Sequence, residues 1–194
     1  MKASASLFCL ALAACAGTPP ALVQRDSPLL PDPALHSDDR LTVAAALLVA
    51  AENAPGEEAR LPLLARLDAL GVAAQDGLTD DPLARWRAEA DQSRLVPYRG
   101  RTLGPAYRRM ILPSGQSTDI EQVFYAGKKA VMVARSTGGQ PVALAVENAQ
   151  AGTVCETQLM PGGRCNWLPI FTERYTIRLE NRGTRDASIY LVFE

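Results

Sequence analysis

The alternation of apolar and polar residues divides the chain into a helical half and a half made of strands. Residues 41–49 are almost entirely apolar, a pattern typical of a helix that is buried on several sides. Leucines recur at helical spacing through residues 63–70, and Pro82 follows two aspartates that are suited to cap a third helix. Residues 37–96 are therefore predicted to form a helical segment of about three helices.

The rest of the chain has the pattern of a β-domain. Short segments of alternating or β-branched residues are separated by turn signals such as Gly138-Gly139. The predicted strands are residues 107–112, 120–125, 130–136, 142–147, 153–157, 165–168, 175–181 and 188–193. About eight short strands without intervening helices indicate an antiparallel β-sandwich of jelly-roll type at residues 97–194. The expected fold class is thus α+β.

The N-terminus has the composition of a targeting segment. An apolar run at residues 7–14 follows Met1-Lys2 and ends in small residues directly before Cys15. This arrangement resembles a bacterial lipoprotein signal (a lipobox), which implies that residues 1–14 are removed and that Cys15 is acylated. Residues 15–36 contain five prolines and predict an extended tether that does not pack on the domain.

The predicted cellular location is the outer membrane, with the domain facing the periplasm. No run after the signal reaches the roughly 20 apolar residues that a membrane-spanning helix needs. We therefore expect the membrane to hold the protein through its N-terminal lipid. The residue after Cys15 is Ala16 rather than aspartate, which resembles the enterobacterial pattern for delivery to the outer membrane.

Composition and charge narrow the class of partner. The chain has 194 residues, 47% of them hydrophobic, and a net charge of −1. This near-neutral balance argues against nucleic acid as the main partner. Residues 37–91 carry a net charge of −6, whereas residues 92–194 carry +5. Opposite charges favour docking of the helical half on the sandwich, and the alternative is two independently solvated surfaces.

Two cysteines belong to the predicted domain. Cys9 lies in the signal and Cys15 is the expected lipid site, which leaves Cys155 and Cys165. Two cysteines of an exported chain usually form a disulfide, and a hairpin around the intervening Pro-Gly-Gly turn could bring these two together. A two-cysteine metal site is the alternative, but there is no Cys-x-x-Cys pattern, and the chain's one histidine is far away in sequence.

Residues 103–194 resemble the bacterial pre-peptidase C-terminal (PPC-like) β-sandwich. The segments that carry the resemblance are Phe124-Tyr125-Ala126-Gly127-Lys128, Val142-Ala143-Leu144-Ala145-Val146, Cys165-Asn166-Trp167-Leu168-Pro169, Tyr175-Thr176-Ile177-Arg178-Leu179-Glu180-Asn181 and Tyr190-Leu191-Val192. The resemblance implies a non-catalytic module of a secreted or surface protein, and some members of that family bind calcium or extracellular polymers. This chain has no peptidase before the module. Its 142–146 strand lacks the paired acids of many relatives, so we expect no metal site.

Catalytic signatures are scarce. The chain has no Gly-x-Ser-x-Gly, His-Glu-x-x-His or phosphate-binding loop motif. Its one histidine, His36, lies beside the proline-rich tether, where a catalytic base could not be held rigidly. Asp119 and Glu121 would share one face of a strand and could form a glycosidase-like pair or a cation site. A solvated sheet face is the more ordinary interpretation of these two carboxylates.

An arginine-rich segment without acids spans residues 92–118. Its candidate contact residues are Arg94, Tyr98, Arg99, Arg101, Tyr107, Arg108 and Arg109. Arginines with aromatic rings suit anionic or sugar-rich ligands, but they could also pair with the acidic helical half. We favour the second interpretation. Trp167, close to Cys165, is expected to pack against the disulfide in the sandwich core rather than to form a sugar platform.

The sequence therefore predicts a non-enzymatic lipoprotein whose sandwich is a binding or structural module of the cell envelope. No cofactor is expected, and the partner would be an envelope polymer or a protein. Two alternatives remain open. One is an envelope hydrolase that uses Asp119 and Glu121. The other is an accessory subunit of an envelope complex that docks through the helical half, for which an exposed apolar patch on the helices would be evidence.

Overall fold

A computed structural model describes residues 32–90, 104–160 and 162–194 of the chain. In this part of the chain, helices α1, α2 and α3 span Arg40–Glu52, Glu57–Ala69 and Pro82–Glu89. The strands are β1 (Ala73–Ala74), β2 (Ala106–Leu112), β3 (Ser117–Phe124), β4 (Ala130–Ser136), β5 (Val142–Glu147), β6 (Thr153–Gln158), β7 (Gly163–Trp167), β8 (Glu173–Asn181) and β9 (Ala187–Phe193). The predicted α+β fold with an antiparallel β-sandwich is confirmed.

The strands form two sheets. The large sheet has the strand order β1-β2-β9-β4-β7, and the small sheet has the order β3-β8-β5-β6. Every pairing is antiparallel except that of β1 with β2, where Ala73 lies opposite Ala106. The sequence did not predict β1, because two residues are too few for a hydrophobic period. Strands β4 and β5 begin and end at the predicted residues.

The large sheet is buried on both faces. On β9, Tyr190 and Val192 belong to a core shared with the helices, whereas Ile189 and Leu191 belong to the core between the two sheets. This double burial explains why β9 has no polar alternation in its second half. The helical half and the sandwich accordingly lie in one compact unit, Pro31–Glu194.

Aspartates cap the first turns of two helices, and the cap before α3 is one of the two predicted aspartates. Asp39 accepts a hydrogen bond from the backbone N–H of Thr42 at 3.0 Å, which satisfies one of the free donors in the first turn of α1. Asp81 accepts from the N–H of Ala84 at 3.1 Å and does the same for α3. Both helices lie against the large sheet with their apolar faces covered.

The predicted tether is too long at its C-terminal end. Residues 33–36 form a short 3₁₀ helix rather than an unpacked segment, and Asp32 accepts from the N–H of Ala34 at its start. Asp32 also forms a salt bridge with Arg135 of β4 at 2.5 Å, and Arg66 donates to the Leu35 carbonyl at 2.7 Å. These contacts hold the segment on the domain, although prolines favour an extended chain. His36 is exposed.

A disulfide joins Cys155 to Cys165, with their Cα atoms 5.8 Å apart. The predicted hairpin geometry is wrong, because Cys155 lies on β6 of the small sheet and Cys165 lies on β7 of the large sheet. The chain between them crosses from one sheet to the other. The bond therefore links the outermost strands of the two sheets on the same side of the sandwich.

Loss of this crosslink should destabilise the sandwich. Replacing both Cys155 and Cys165 with serine is expected to lower the free energy of unfolding by about 2–3 kcal/mol, since the loop between them is short and its closure entropy is modest. Urea denaturation of the oxidised protein measures the difference. Wild-type protein that has been reduced with dithiothreitol is the control and should match the double variant. Non-reducing peptide mapping that finds both thiols free after export would contradict the assignment.

Candidate functional site

The arginine-rich segment is described from residue 104 onward, so three of its seven candidate residues can be placed. Tyr107, Arg108 and Arg109 lie on β2 of the large sheet. Arg94, Tyr98, Arg99 and Arg101 lie outside the described residues. Alternation along β2 turns Tyr107 and Arg109 toward the helices and Arg108 toward the small sheet.

Arg109 lies between the helical layer and the large sheet. Its guanidinium Nη2 is 2.8 Å from Glu52 Oε1 at the end of α1, and its Nη1 is 2.8 Å from Asp80 Oδ2 just before α3. Only 13% of the Arg109 side chain is exposed. A guanidinium that bridges two carboxylates in this way connects two helices to one strand.

Tyr107 forms a second link at the same place. Its hydroxyl donates to the Asp81 carboxylate and accepts from the backbone N–H of Leu83 at 3.2 Å. The ring is fully buried and packs against Tyr190 with 6.1 Å between centroids. We call the group of Glu52, Asp80, Asp81, Tyr107 and Arg109 the polar joint.

The electrostatics of the polar joint centre on Glu52. Burial alone raises the pKa of Glu52, but hydrogen bonds from Arg109 and from Ser188 outweigh burial and hold that pKa below its usual range. Burial, together with the neighbouring Glu52 carboxylate, raises the pKa of Tyr190. Glu52 is therefore charged at neutral pH and is matched by Arg109. The charged groups of the polar joint thus pair with one another, and they offer few free charges to a ligand.

The carboxylates proposed for hydrolysis are already paired. Arg178 donates to both oxygens of Asp119 at 2.9 and 3.1 Å, and Arg174 donates to Glu121 at 3.0 Å. All four side chains are exposed on the outer face of the small sheet. The hydrogen bonds from Arg178 lower the pKa of Asp119, whereas a general acid needs a raised pKa. This geometry fits the solvated sheet face rather than a catalytic pair.

A patch of exposed apolar side chains lies at one end of the sandwich. Tyr125 in the β3–β4 turn is 60% exposed, and the β7–β8 loop presents Leu168, Ile170 and Phe171 at 63%, 80% and 70%. We call these four residues the apolar tip. Soluble proteins seldom expose large apolar side chains in a contiguous group unless the group contacts something.

The two loops of the apolar tip are joined to each other. The N–H of Gly127 donates to the Pro169 carbonyl at 2.9 Å, and the N–H of Ala126 donates to the Thr172 hydroxyl at 3.0 Å. Gly127 has a φ of +71°, a left-handed conformation that favours glycine in this turn. The tip is thus a fixed feature of the fold rather than two independent loops.

An aromatic cluster supports the tip from below. Trp167 packs edge-to-face on Phe124 at 4.7 Å and tilts against Tyr175 at 5.5 Å between ring centroids. Trp167 is partly buried in the core between the sheets. Its ring neighbours are these two aromatic residues, so a flat, exposed sugar platform is not formed.

Two lysines beside the tip have no acidic partner among the described residues. Lys128 Nζ lies 5.4 Å from the centre of the Tyr125 ring, within the range of a cation–π contact. Lys129 follows it, and among the described residues no salt bridge involves either lysine. The neighbouring Glu194 contacts Arg40 at 3.7 Å. Lys128 and Lys129 also line an open groove of about 280 Å³ beside the tip.

The apolar tip was not found from the sequence. Residues 168–171 read Leu-Pro-Ile-Phe, and Leu168 was assigned to the end of a strand. The available signal was an uncharged apolar run in a loop, where polar turn residues are the norm. Such a run can equally be buried, and alternation cannot distinguish the two cases.

The helices present no comparable patch. Within the described ranges, every large apolar side chain left exposed lies after residue 104. No helix in these ranges is long and apolar enough to cross a membrane. No three His, Cys, Asp or Glu side chains gather there to hold a metal ion.

No protein-family model matches the chain, and no curated protein matches it by sequence. Among solved structures, the Yersinia pseudotuberculosis-derived mitogen covers 46% of this chain and 84% of its own, at 11% identity and a TM-score of 0.41. The Aeromonas hydrophila PliG, a periplasmic lysozyme inhibitor of g-type lysozyme, covers the same shares at 16% identity and a TM-score of 0.35.

A carbohydrate-binding module is also similar to part of the chain. The CBM36-1 domain of a multidomain xylanase, from the hindgut metagenome of Trinervitermes trinervoides, covers 43% of this chain and 75% of its own. Its identity is 17% and its TM-score is 0.30. These similarities are to parts of the chain and are low in both identity and TM-score.

The polar joint makes a pH-dependent contribution to stability. Because the pKa of Glu52 is lowered in the folded state, its contribution is present above the unfolded pKa and is lost as the pH falls through the folded pKa. Glu52→Gln should therefore lower the free energy of unfolding by about 1–3 kcal/mol at pH 7, and by progressively less below about pH 4. Urea denaturation across this pH range measures the difference.

Glu121→Gln is the matched control. It breaks an exposed pair with Arg174 and should cost no more than about 1 kcal/mol at any pH. Equal losses in the two variants, or a loss in Glu52→Gln that does not shrink in acid, would show that the joint is not an energetic link between the layers.

Proposed function

We propose that this chain is a non-enzymatic envelope lipoprotein, anchored in the outer membrane through Cys15, whose sandwich binds through the apolar tip. The observation that carries the proposal is the contiguous exposure of Tyr125, Leu168, Ile170 and Phe171 on two joined loops. Four large apolar side chains in contact with water cost free energy, which contact with a partner recovers.

The two alternatives have less support. A hydrolase would need a carboxyl with a raised pKa, whereas the pKa of Asp119 is lowered by Arg178. An accessory subunit that docks through its helices would need an exposed apolar patch there, yet the described part of the helical half has its apolar faces against the large sheet. The binding surface is accordingly proposed at the end of the sandwich that carries the apolar tip.

Anchoring through Cys15 rests on the sequence resemblance and has its own test. Cys15→Ser should remain an unprocessed precursor or be released from the membrane fraction, because it can carry no acyl chain at that position. Metabolic labelling with a palmitate analogue, followed by fractionation, measures both outcomes. Ala16→Ser is the control and should label and fractionate like wild type. A Cys15→Ser protein that still labels and stays with the membrane would refute the anchor.

The tip can be tested in cells without knowing its ligand. A photoreactive amino acid at Ile170 of the anchored chain should form crosslinked adducts, because this side chain is the most exposed of the tip. The same amino acid at Ile111, which is 59% exposed on β2, is the matched control. Mass spectrometry of the products compares the two positions. Equal adduct yields at positions 170 and 111 would show that the tip is not a binding surface.

A further inference from the structure

We propose that the apolar tip inserts into the headgroup region of an anionic phospholipid membrane, the one in which Cys15 anchors the chain. This inference rests on the proposed function, since it names the ligand of the same surface. The side chains have the composition that a lipid interface favours. Leu168, Ile170 and Phe171 supply apolar surface for the acyl boundary, and Tyr125 supplies an aromatic ring with a polar end.

The charges around the tip point to an anionic lipid rather than a neutral one. Lys128 and Lys129 are the chain's two lysines outside the signal segment. Both follow Tyr125 in the same turn and line the groove beside it. Lysine ammonium groups on long stems reach lipid phosphates while their methylenes lie along apolar surface. The two loops, residues 125–130 and 166–172, contain no acid.

The acids that border the loops are themselves engaged. Glu121 pairs with Arg174 at 3.0 Å, Glu194 pairs with Arg40 at 3.7 Å, and Glu173 contacts the Tyr175 hydroxyl. The charges of Glu121 and Glu194 are thus offset by arginines, whereas Glu173 meets only a neutral hydroxyl and is outnumbered by the two lysines. The tip therefore presents net positive charge beside an apolar surface, which complements anionic headgroups above acyl chains.

The tip is preorganised for insertion. The two interloop hydrogen bonds and the aromatic cluster of Phe124, Trp167 and Tyr175 hold both loops before any contact is made. Binding therefore costs little conformational entropy. A chain already anchored at Cys15 keeps the tip at a high local concentration near the lipid, so a weak intrinsic affinity suffices.

The geometry permits contact with the anchoring membrane. Ala130 follows the lysines at one end of β4, and Arg135 near the other end contacts Asp32, the first described residue. This separation is about 17 Å along the strand. The chain between Cys15 and Asp32 can span up to roughly 55 Å when it is extended, so the anchor does not prevent the tip from reaching the same lipid surface.

The test uses the unlipidated chain 16–194, which contains the whole compact unit, and measures its co-sedimentation with vesicles. Wild type should bind vesicles of phosphatidylcholine mixed with phosphatidylglycerol and bind pure phosphatidylcholine much less. Ile170→Ser with Phe171→Ser should lower the partition coefficient at least about tenfold, because two large apolar side chains are lost. Lys128→Gln with Lys129→Gln should abolish the preference for the anionic vesicles.

Ile111→Ser is the matched control, and it should bind like wild type, since Ile111 lies on a different part of the surface. Circular dichroism melts should be the same for all variants, because every substitution is at an exposed position. Absence of wild-type binding to anionic vesicles, or equal binding by the tip double variant, overturns the lipid assignment. Adducts to protein rather than lipid from position 170 in cells would overturn it as well but leave the proposed function standing.

Discussion

The central constraint on this fold is that the large sheet must be covered on both faces. Strand β9 is apolar from Ile189 to Phe193, so neither face of the sheet tolerates water. The small sheet covers one face and α1, α2 and α3 cover the other. Both the small sheet and the helices are needed to bury the large sheet. The helical half is accordingly part of the domain's core rather than an appendage to it.

The polar groups at the helix–sheet boundary follow from that arrangement. A carboxylate placed at the end of α1 is half-buried once the helix docks, and Glu52 needs a partner to offset its lost hydration. Arg109 supplies it from β2 and also reaches Asp80. The opposite net charges of the two halves thus correspond, in part, to specific pairs across the boundary. A further pair, Arg164 with Asp39, connects β7 to the start of α1.

The sequence predicted the elements better than their arrangement. Strand β8 was recognisable because Tyr175, Ile177 and Leu179 are buried in strict alternation. The caps at Asp39 and Asp81 were recognisable because their chemistry is local. The sheet to which each strand belongs is a long-range property, and this is why Cys155 and Cys165 were expected in a hairpin. Strand β1 and the packing of residues 33–36 depend likewise on distant partners.

The candidate site shows the same limit. Arginines in a sequence suggest a binding site because a charged guanidinium needs an anionic partner. The partners of Arg109, however, are carboxylates of the same chain. Arg174 and Arg178 form salt bridges with carboxylates of a neighbouring strand. Within the described residues, Lys128 and Lys129 have no acidic partner, and they lie beside Tyr125, where the exposed apolar side chains gather. A binding function is therefore better sought at the apolar tip than at the most charged face of the sandwich. Charged groups that already have ion-pair partners within the chain gain little from a ligand.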